Sequence, residues 1–417
     1  MRLLIYGLNF APELTGIGKY TGELAAWLAG RGHTVSVIAG PPYYPAWRIE
    51  PGYSAWRYRR ETWRGVTVIR TPLWVPARPG GLKRLLHLAS FAASSLPVLI
   101  MQAFKRPDVI FVVAPSLFCA PAAWLAARLC GARVWLHIQD YEVDAAFELG
   151  LLKGRGLRKV VLGLERWLLR RFDRVSTISG RMLELARRKG VDARRLETLP
   201  NWVDVDAICR PDCQSRYRSE LGIPPHAVVA LYAGNMGVKQ GLEVLAQAAR
   251  MLAAHRKLWF VFCGEGPQRD ALHALCKGLP QVRFLDLQPA ERLGELLCTA
   301  DIHLLPQRAN AADLVMPSKL SGMLASGRPV ICTAQPGTEL AGVVAGKGIV
   351  IPPEDAQALV AALEELADDP CRRHALGRAA RHYAQRHLHI DAVLSEAEKA
   401  LIHCIGGDTP GVTGPAA

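Results

Sequence analysis

Lys239 lies in a short turn, Gly234-Asn235-Met236-Gly237-Val238-Lys239, that follows the apolar run Val228–Tyr232. A cation in a glycine-bearing turn between a strand and a helix suits one chemistry. It offsets the charge that grows on a phosphate as a bond to it breaks. Glycine lets backbone N–H groups approach a ligand, and the next helix's N-terminus adds partial positive charge. That helix starts after Gly241 and sets Leu242, Leu245, Ala249 and Leu252 on one face. The same design stands near the start of the chain. There Leu3–Gly18, with Gly16 and Gly18 in its loop, leads into a helix with Tyr20, Leu24, Trp27 and Leu28 on one face. Either loop alone also reads as a tight turn. Two in one chain predict two Rossmann-like, doubly wound α/β domains facing a cleft. That layout suits an enzyme passing part of a phosphorylated donor to a second substrate.

The elements that position these loops alternate along the chain. Strand candidates are Leu3–Tyr6, Val35–Ile38, Val66–Thr71, Val109–Val113, Val134–His137 and Arg174–Ile178, mostly separated by helical stretches. Val228–Tyr232, Trp259–Cys263, Val282–Phe284, Ile302–Leu305, Val330–Cys332 and Ile349–Ile351 repeat the pattern. The boundary falls at Pro200, Asn201 and Trp202. It gives domains of residues 1–199 and 200–405, with the last helix free to pack back on the first domain. The Gly/Pro/Thr-rich end, residues 406–417, is expected to be disordered. Gly264 and Gly266 follow a strand end, and Pro317-Ser318-Lys319 opens a helix suited to phosphate. Asp140, just past the Val134–His137 strand, is placed to orient an acceptor hydroxyl or take its proton. His137 reads equally as a strand-end histidine satisfied by backbone.

The 417 residues carry a formal net charge of +14, unevenly distributed. Residues 1–200 hold 30 Lys and Arg against 14 Asp and Glu, whereas residues 201–417 hold 21 against 23. A basic half suits an anionic membrane or an anionic substrate. Nucleic acid is set aside, because no helix-turn-helix, zinc-finger or aromatic RNA-binding signature occurs. The ten cysteines include no CxxC pair, and Cys209 with Cys213 lacks the histidines of a zinc set. They read as reduced thiols in a cytoplasmic protein, and no metal is expected. MRLLIYG reads as a strand and not as a leader. The uncharged run Leu85–Phe104 is long enough to span a membrane, yet it contains Pro97, His87 and Gln102 and precedes a core strand. Spanning is rejected. Lys83, Arg84, Lys105 and Arg106 flank the run. Two readings remain: a helix lying in the interface beside anionic headgroups, or a helix buried against the sheet.

Eight motifs in order then carry a resemblance. They are Ala11–Glu23 (APELTGIGKYTGE), Gly40–Trp47 (GPPYYPAW), Tyr53–Tyr58 (YSAWRY), Leu136–Ala145 (LHIQDYEVDA), Ser176–Ser179 (STIS), Leu199–Trp202 (LPNW), Gly234–Glu243 (GNMGVKQGLE) and Pro317–Leu320 (PSKL). Up to about residue 400 the chain resembles the GT-B-fold glycosyltransferases of family 4. The resemblance implies a nucleotide-sugar donor mainly on the C-terminal domain and an acceptor mainly on the N-terminal one. Lys239 matches the family's donor-phosphate lysine, while Asn235 stands where arginine is common. With Gly234, Gly237, Gly264, Gly266, Pro317, Ser318 and Lys319 these residues form the implied donor site. Gly16 and Gly18 approach the donor phosphates from the other domain. His137 is implied to contact the donor sugar, and Lys19, Tyr43 and Tyr44 the acceptor. The family's two glutamates, spaced E-x7-E, are missing. Their places fall on Leu314 and Gly322, with Asp313 one residue away as a substitute. Asp204-Val205-Asp206 spells the DxD metal signature of another glycosyltransferase fold, and its place past the domain boundary reads as structural.

The function implied is retaining sugar transfer, independent of metal and cofactor, from a GDP-linked donor, GDP-fucose. The acceptor is a lipid-linked oligosaccharide in colanic-acid-like exopolysaccharide biosynthesis, handled at the inner face of the plasma membrane. Without a carboxylate pair, front-face attack assisted by the leaving phosphate fits better than a covalent intermediate. Two other readings stay open. One is a nucleotide-sugar epimerase of the same fold. The other is a catalytically silent nucleotide-sugar-binding membrane protein, which the missing glutamates favour.

Overall fold

The computed structural model describes residues 1–13, 16–77, 80–114, 118–141, 155–208, 215–309 and 316–406. Two compact units divide the chain: Met1–Pro200 with Leu394–Ala417, and Asn201–Val393. Each unit is built on one sheet. The first contains β1 (Arg2–Gly7), β2 (Thr34–Ala39), β3 (Arg59–Trp63), β4 (Val66–Arg70), β5 (Val109–Ala114), β6 (Arg133–Ile138), β7 (Arg174–Thr177) and β8 (Leu196–Thr198). Their order is β3-β4-β2-β1-β5-β6-β7-β8, parallel except for the β3–β4 hairpin. Neither β3 nor β8 is a strand candidate in the sequence. β3 is a polar edge strand, RRETW, and β8 has three residues. Arg64 and Gly65 join β3 to β4 with φ of 45° and 80°, the backbone a two-residue hairpin turn requires.

The second sheet contains β9 (Val228–Ala233), β10 (Leu258–Cys263), β11 (Val282–Leu285), β12 (Ile302–Leu305), β13 (Val330–Thr333) and β14 (Gly348–Ile351). Its order is β11-β10-β9-β12-β13-β14, parallel throughout. In both sheets the chain winds outward from one central strand, then restarts beside it and winds the other way. The restart lies between β1 and β5 in the first unit and between β9 and β12 in the second. Ligands of such sheets bind at the carboxyl ends of these strands.

Helices α1 (Gly16–Gly30), α2 (Gly81–Ala103) and α3 (Ala120–Cys130) belong to the first unit. Helix α2 is long and apolar enough to cross a membrane by length and composition. Its inner face nevertheless packs on the sheet: Leu88, Phe91, Val98 and Leu99 join Tyr6, Ile110 and Val112 in the core. The Tyr6 hydroxyl and Ser95 Oγ lie 2.6 Å apart. Its outer face displays Leu82, Leu86, Ile100 and Met101. The run 85–104 is thus core on one side and exposed apolar surface on the other. From Leu394 onward the Ile390–Gly406 helix belongs to the first unit, where Glu398 meets His33 at 2.7 Å and Arg31 at 3.1 Å. The tail 407–417 lies outside the described residues.

A buried ion pair steadies the segment that carries Asp140. Lys189 and Glu165, 4% and 2% exposed, pair across the Arg155–Leu169 and Gly180–Arg188 helices. The Lys189 ammonium also lies 4.8 Å from the ring centre of Tyr141, whose hydroxyl donates to the Met182 carbonyl at 2.9 Å. Replacing Lys189 by Met strands a buried carboxylate. Such losses cost about 3 kcal/mol or more, so Lys189→Met should lower the first unit's denaturant midpoint clearly, read by urea unfolding.

Candidate active site

The loop after β9 is held from three sides. Gly234 N–H donates to the Cys263 carbonyl at 2.9 Å, Met236 N–H to Glu265 at 2.8 Å, and Gln268 N–H to Met236 at 2.9 Å. These bonds press the Gly234–Gly237 loop against the Gly264–Gly266 loop. A Cβ on Gly264 would strike the Gly234 carbonyl, and one on Gly266 the Met236 carbonyl. Gly234, Gly264 and Gly266 also have φ of 141°, 138° and 145°, open only to glycine without strain. Gly264 and Gly266 therefore serve loop-on-loop packing, a reason the sequence does not reveal. Gly237 N–H donates to Gln240 Oε1 at 3.0 Å. Asn235, between the constrained positions, is exposed, and its N–H has no partner among the described residues.

Two cations flank this loop. Lys239 is exposed in the Val238–Gln240 turn. Lys319 reaches over from the Lys319–Ala325 helix, and its Nζ would lie 3.3 Å from a Cβ on Gly234. The Lys319 ammonium donates to the Tyr232 hydroxyl at 3.1 Å, which in turn donates to the Asn235 carbonyl at 2.6 Å. Among the described residues neither lysine has a carboxylate partner. Burial pulls the Lys319 pKa down to about 8, so near neutral pH an underneutralised cation faces the glycine loop. Arg308, after β12, locks the turn that bears Lys239. Its N–H donates to the Lys239 carbonyl at 3.1 Å, its Nε to Val238 at 2.9 Å, and its guanidinium pairs with Glu243 at 2.8 Å. Tyr232 and Arg308 are absent from the sequence candidates. Their distant partners, Lys319 for Tyr232 and Lys239 for Arg308, lie close only once β9 and β12 are adjacent.

Pro317 and Ser318 precede the Lys319 helix, Ser318 exposed. Gly322, where the family's second glutamate belongs, sits inside that seven-residue helix with its Cβ position 3.2 Å from Leu297 Cδ1. A side chain there would require the Leu297 methyl to shift by a few tenths of an ångström. Asp313 and Leu314 lie outside the described residues. Asp204 accepts from the N–H groups of Asp206 and Ala207 at 3.1 and 3.0 Å, the contacts of a turn-capping carboxylate.

In the first unit the organising group is Glu13, 3% exposed and absent from the sequence candidates. Its carboxylate accepts from Asn9 Nδ2 at 3.0 Å and from the N–H groups of Tyr43 and Tyr44, both at 3.2 Å. It joins the loop after β1 to the loop after β2. Arg70 reinforces that joint by donating to the Gly40 carbonyl at 3.0 Å and to the Ala11 carbonyl. Gly18 is glycine because a Cβ would run into Glu13, and Gly16, with φ of 62°, lies beside the Tyr44 ring. The structure thus brings Gly16, Gly18, Tyr43 and Tyr44 together. The Tyr43 ring is buried, 5.4 Å from Trp47 and 4.9 Å from His87 of α2, so only Tyr44 presents an exposed ring. Lys19 lies 3.9 Å from Glu23.

His137 lies within β6 and not beyond it. It is 3% exposed, with Nδ1 2.9 Å from Ser176 Oγ and Nε2 2.9 Å from Gln139 Nε2. Burial pushes its pKa down to about 3, so the ring is neutral. In this arrangement both ring nitrogens are engaged within the unit. Asp140, at the carboxyl end of β6, is half-buried.

Comparison with known proteins agrees with this architecture. The family description "Glycosyl transferase 4-like domain" matches residues 15–202, and "Glycosyl transferases group 1" matches residues 227–369. An Escherichia coli (strain K12) protein named "Putative colanic acid biosynthesis glycosyl transferase WcaI" is 44% identical over 415 residues, 95% of this chain and 98% of that one. Sucrose-phosphate synthase from Thermosynechococcus elongatus superposes with a TM-score of 0.75 at 17% identity, covering 98% of this chain and 100% of that one. Anabaena Alr3699/HepE in complex with UDP-glucose gives 0.69 at 15% identity, covering 97% and 100%. Two Rossmann-like domains of this topology define the GT-B architecture. The chain belongs to the GT-B glycosyltransferases of family 4.

Glu13 also sets a pH dependence. Burial is the largest influence and pushes its pKa up to about 7, against its N–H donors and Arg70. A carboxyl raised in the folded state stabilises the fold fully below its unfolded pKa. That contribution is lost as pH rises through the folded value. Stability should therefore fall between about pH 5 and pH 7.5 by an amount that Glu13→Gln removes, read as melting temperature against pH for both proteins.

Proposed function

We propose that this glycosyltransferase moves a sugar, fucose from GDP-fucose, onto a lipid-linked oligosaccharide in colanic-acid-like polysaccharide biosynthesis. The observation that carries the reading is the pair Lys239 and Lys319 at the glycine loop after β9, with no carboxylate partner among the described residues. A nucleoside diphosphate supplies the missing negative charge, and it carries most when the sugar–phosphate bond is breaking. The 44% identity to the Escherichia coli protein named for colanic acid biosynthesis supports the polymer. The complex of Alr3699/HepE with UDP-glucose supports a nucleotide-sugar as donor class for this fold.

In this reading the donor lies on the second unit, held by the Gly234–Gly237 loop, Lys239 and Lys319. The acceptor lies by Tyr44 and the Glu13-pinned loops of the first. Transfer proceeds with retention. The leaving phosphate takes the acceptor proton as the hydroxyl attacks from the same face, and Asp140 orients that hydroxyl. The protein contributes position and fixed charge, and no metal takes part.

Released nucleoside diphosphate, measured over a panel of nucleotide-sugars with a lipid-linked acceptor extract, tests the donor. GDP-fucose should be turned over fastest, and release of a different nucleotide would replace the assignment. Lys239→Ala should retain the fold and lower kcat by roughly thirtyfold or more, about 2 kcal/mol, the scale of one lost transition-state contact. Lys319 should impose a pH limit. Donor affinity should weaken above about pH 8 as Lys319 loses its proton, and Lys319→Met should bind weakly with that limb absent.

A further inference from the structure

Helix α2 packs beside α3, and α3 meets the Arg155–Leu169 helix where the Trp124 and Trp167 rings lie 6.0 Å apart. The Arg171 guanidinium lies over both rings. These helices form one layer over the first sheet, and their outward surface is unusual in two respects. It is apolar: Phe104, just past α2, is 83% exposed and Leu129 of α3 is 80% exposed, with Leu82, Ile100, Val160 and Leu164 also uncovered. It is also almost without acid. The three helices contain a single acidic residue, Glu165, and that one is buried against Lys189. Exposed bases border the apolar surface throughout: Lys83, Lys105 and Arg106 around α2, Arg128 on α3, and Arg158 and Lys159 on the third helix.

We propose that this three-helix layer is a docking surface for an anionic lipid bilayer, lying flat with its aliphatic side chains in the acyl boundary and its bases among headgroup phosphates. Charge selects this occupant. A second copy of the chain would set the same acid-free surface against itself, base against base. A bilayer of anionic headgroups offers apolar depth and negative charge together. Where α2 and α3 end, a recess of about 450 Å³ opens between Arg2, Arg106, Arg128 and Arg133, with Asp108 and Asp173 also on its wall. Among the described residues Arg106 and Arg128 have no side-chain partner, which leaves them for headgroup phosphate. The inference deepens the proposed function, because it supplies the surface from which a lipid-linked acceptor is taken. His87 of α2 packs against Tyr43 and Trp47, so the docked helix directly supports the candidate acceptor loop.

Flotation of the full chain with phosphatidylcholine vesicles, with and without phosphatidylglycerol, tests the surface. Flotation should require phosphatidylglycerol, and raising salt should weaken it without abolishing it. Ile100→Glu with Phe104→Glu should abolish it at every salt concentration. Lys83→Glu with Arg128→Glu should weaken it by about tenfold or more. Nucleotide release in vesicle-free solution, read on the same samples, should be unchanged in both double variants. Wild-type protein that ignores phosphatidylglycerol at low salt overturns the proposal, as does an Ile100→Glu/Phe104→Glu variant that floats like wild type. A wild-type dimer made monomeric by that variant, with no flotation in either, gives the surface to a second copy and also overturns it. Protein that floats as expected but releases no nucleotide from any donor leaves the docking surface standing and overturns the transfer reading instead.

Discussion

Backbone groups at the carboxyl edge of a parallel sheet have no further strand to pair with, and buried polar groups cannot stay unpaired without cost. Both units meet that constraint with a guanidinium. Arg308 grips the Val238 carbonyl and hydrogen-bonds through its own backbone to Lys239. Arg70 grips the Gly40 and Ala11 carbonyls. Each arginine enters from a neighbouring strand's end, so the sheet helps to fix loops that Glu13 and Gln240 also tie from within. The candidate site depends on this arrangement. Without it Lys239 of the second unit and the tyrosine-bearing loop of the first would lose a tie to the sheet.

The central parallel strands were legible in the sequence because they are buried on both faces and read as short apolar runs. The polar edge strand β3 and the three-residue β8 lacked that signal. Glycine placement was legible at Gly234 and Gly16, where the turn itself requires it. The reason for Gly18, Gly264 and Gly266 was not, since each answers to a group elsewhere in the chain: Glu13, Gly234 and Met236. The same holds for the groups that organise the site. Glu13 binds backbone 30 and 31 residues away, Arg70 backbone 59 residues away, and Arg308 a carbonyl 70 residues away. Such pairings have no local pattern. His137 stands at a position the sequence singles out, and its burial and its contacts with Ser176 and Gln139 are likewise set by neighbouring residues.

Hydropathy alone could not choose between core and surface for α2, because the helix is apolar all round. A helix buried on one side normally shows a polar stripe on the other. The structure places the inner face of α2 on the sheet and leaves Leu82, Leu86, Ile100 and Met101 uncovered, and α3 likewise displays Leu125 and Leu129.

The meeting of the two glycine loops divides the candidate site of the second unit into a part that tolerates substitution and a part that does not. In the floor of the site, at Gly264 and Gly266, a side chain would strike the backbone of Gly234 and Met236, while Gly234 is held at a φ open only to glycine without strain, beside the Lys319 side chain. Asn235 and Ser318 stand exposed at its rim. Random mutagenesis of these loops therefore has its accessible positions at that rim, while randomising the floor would mainly yield misfolded protein. The rim can drift without the floor being rebuilt.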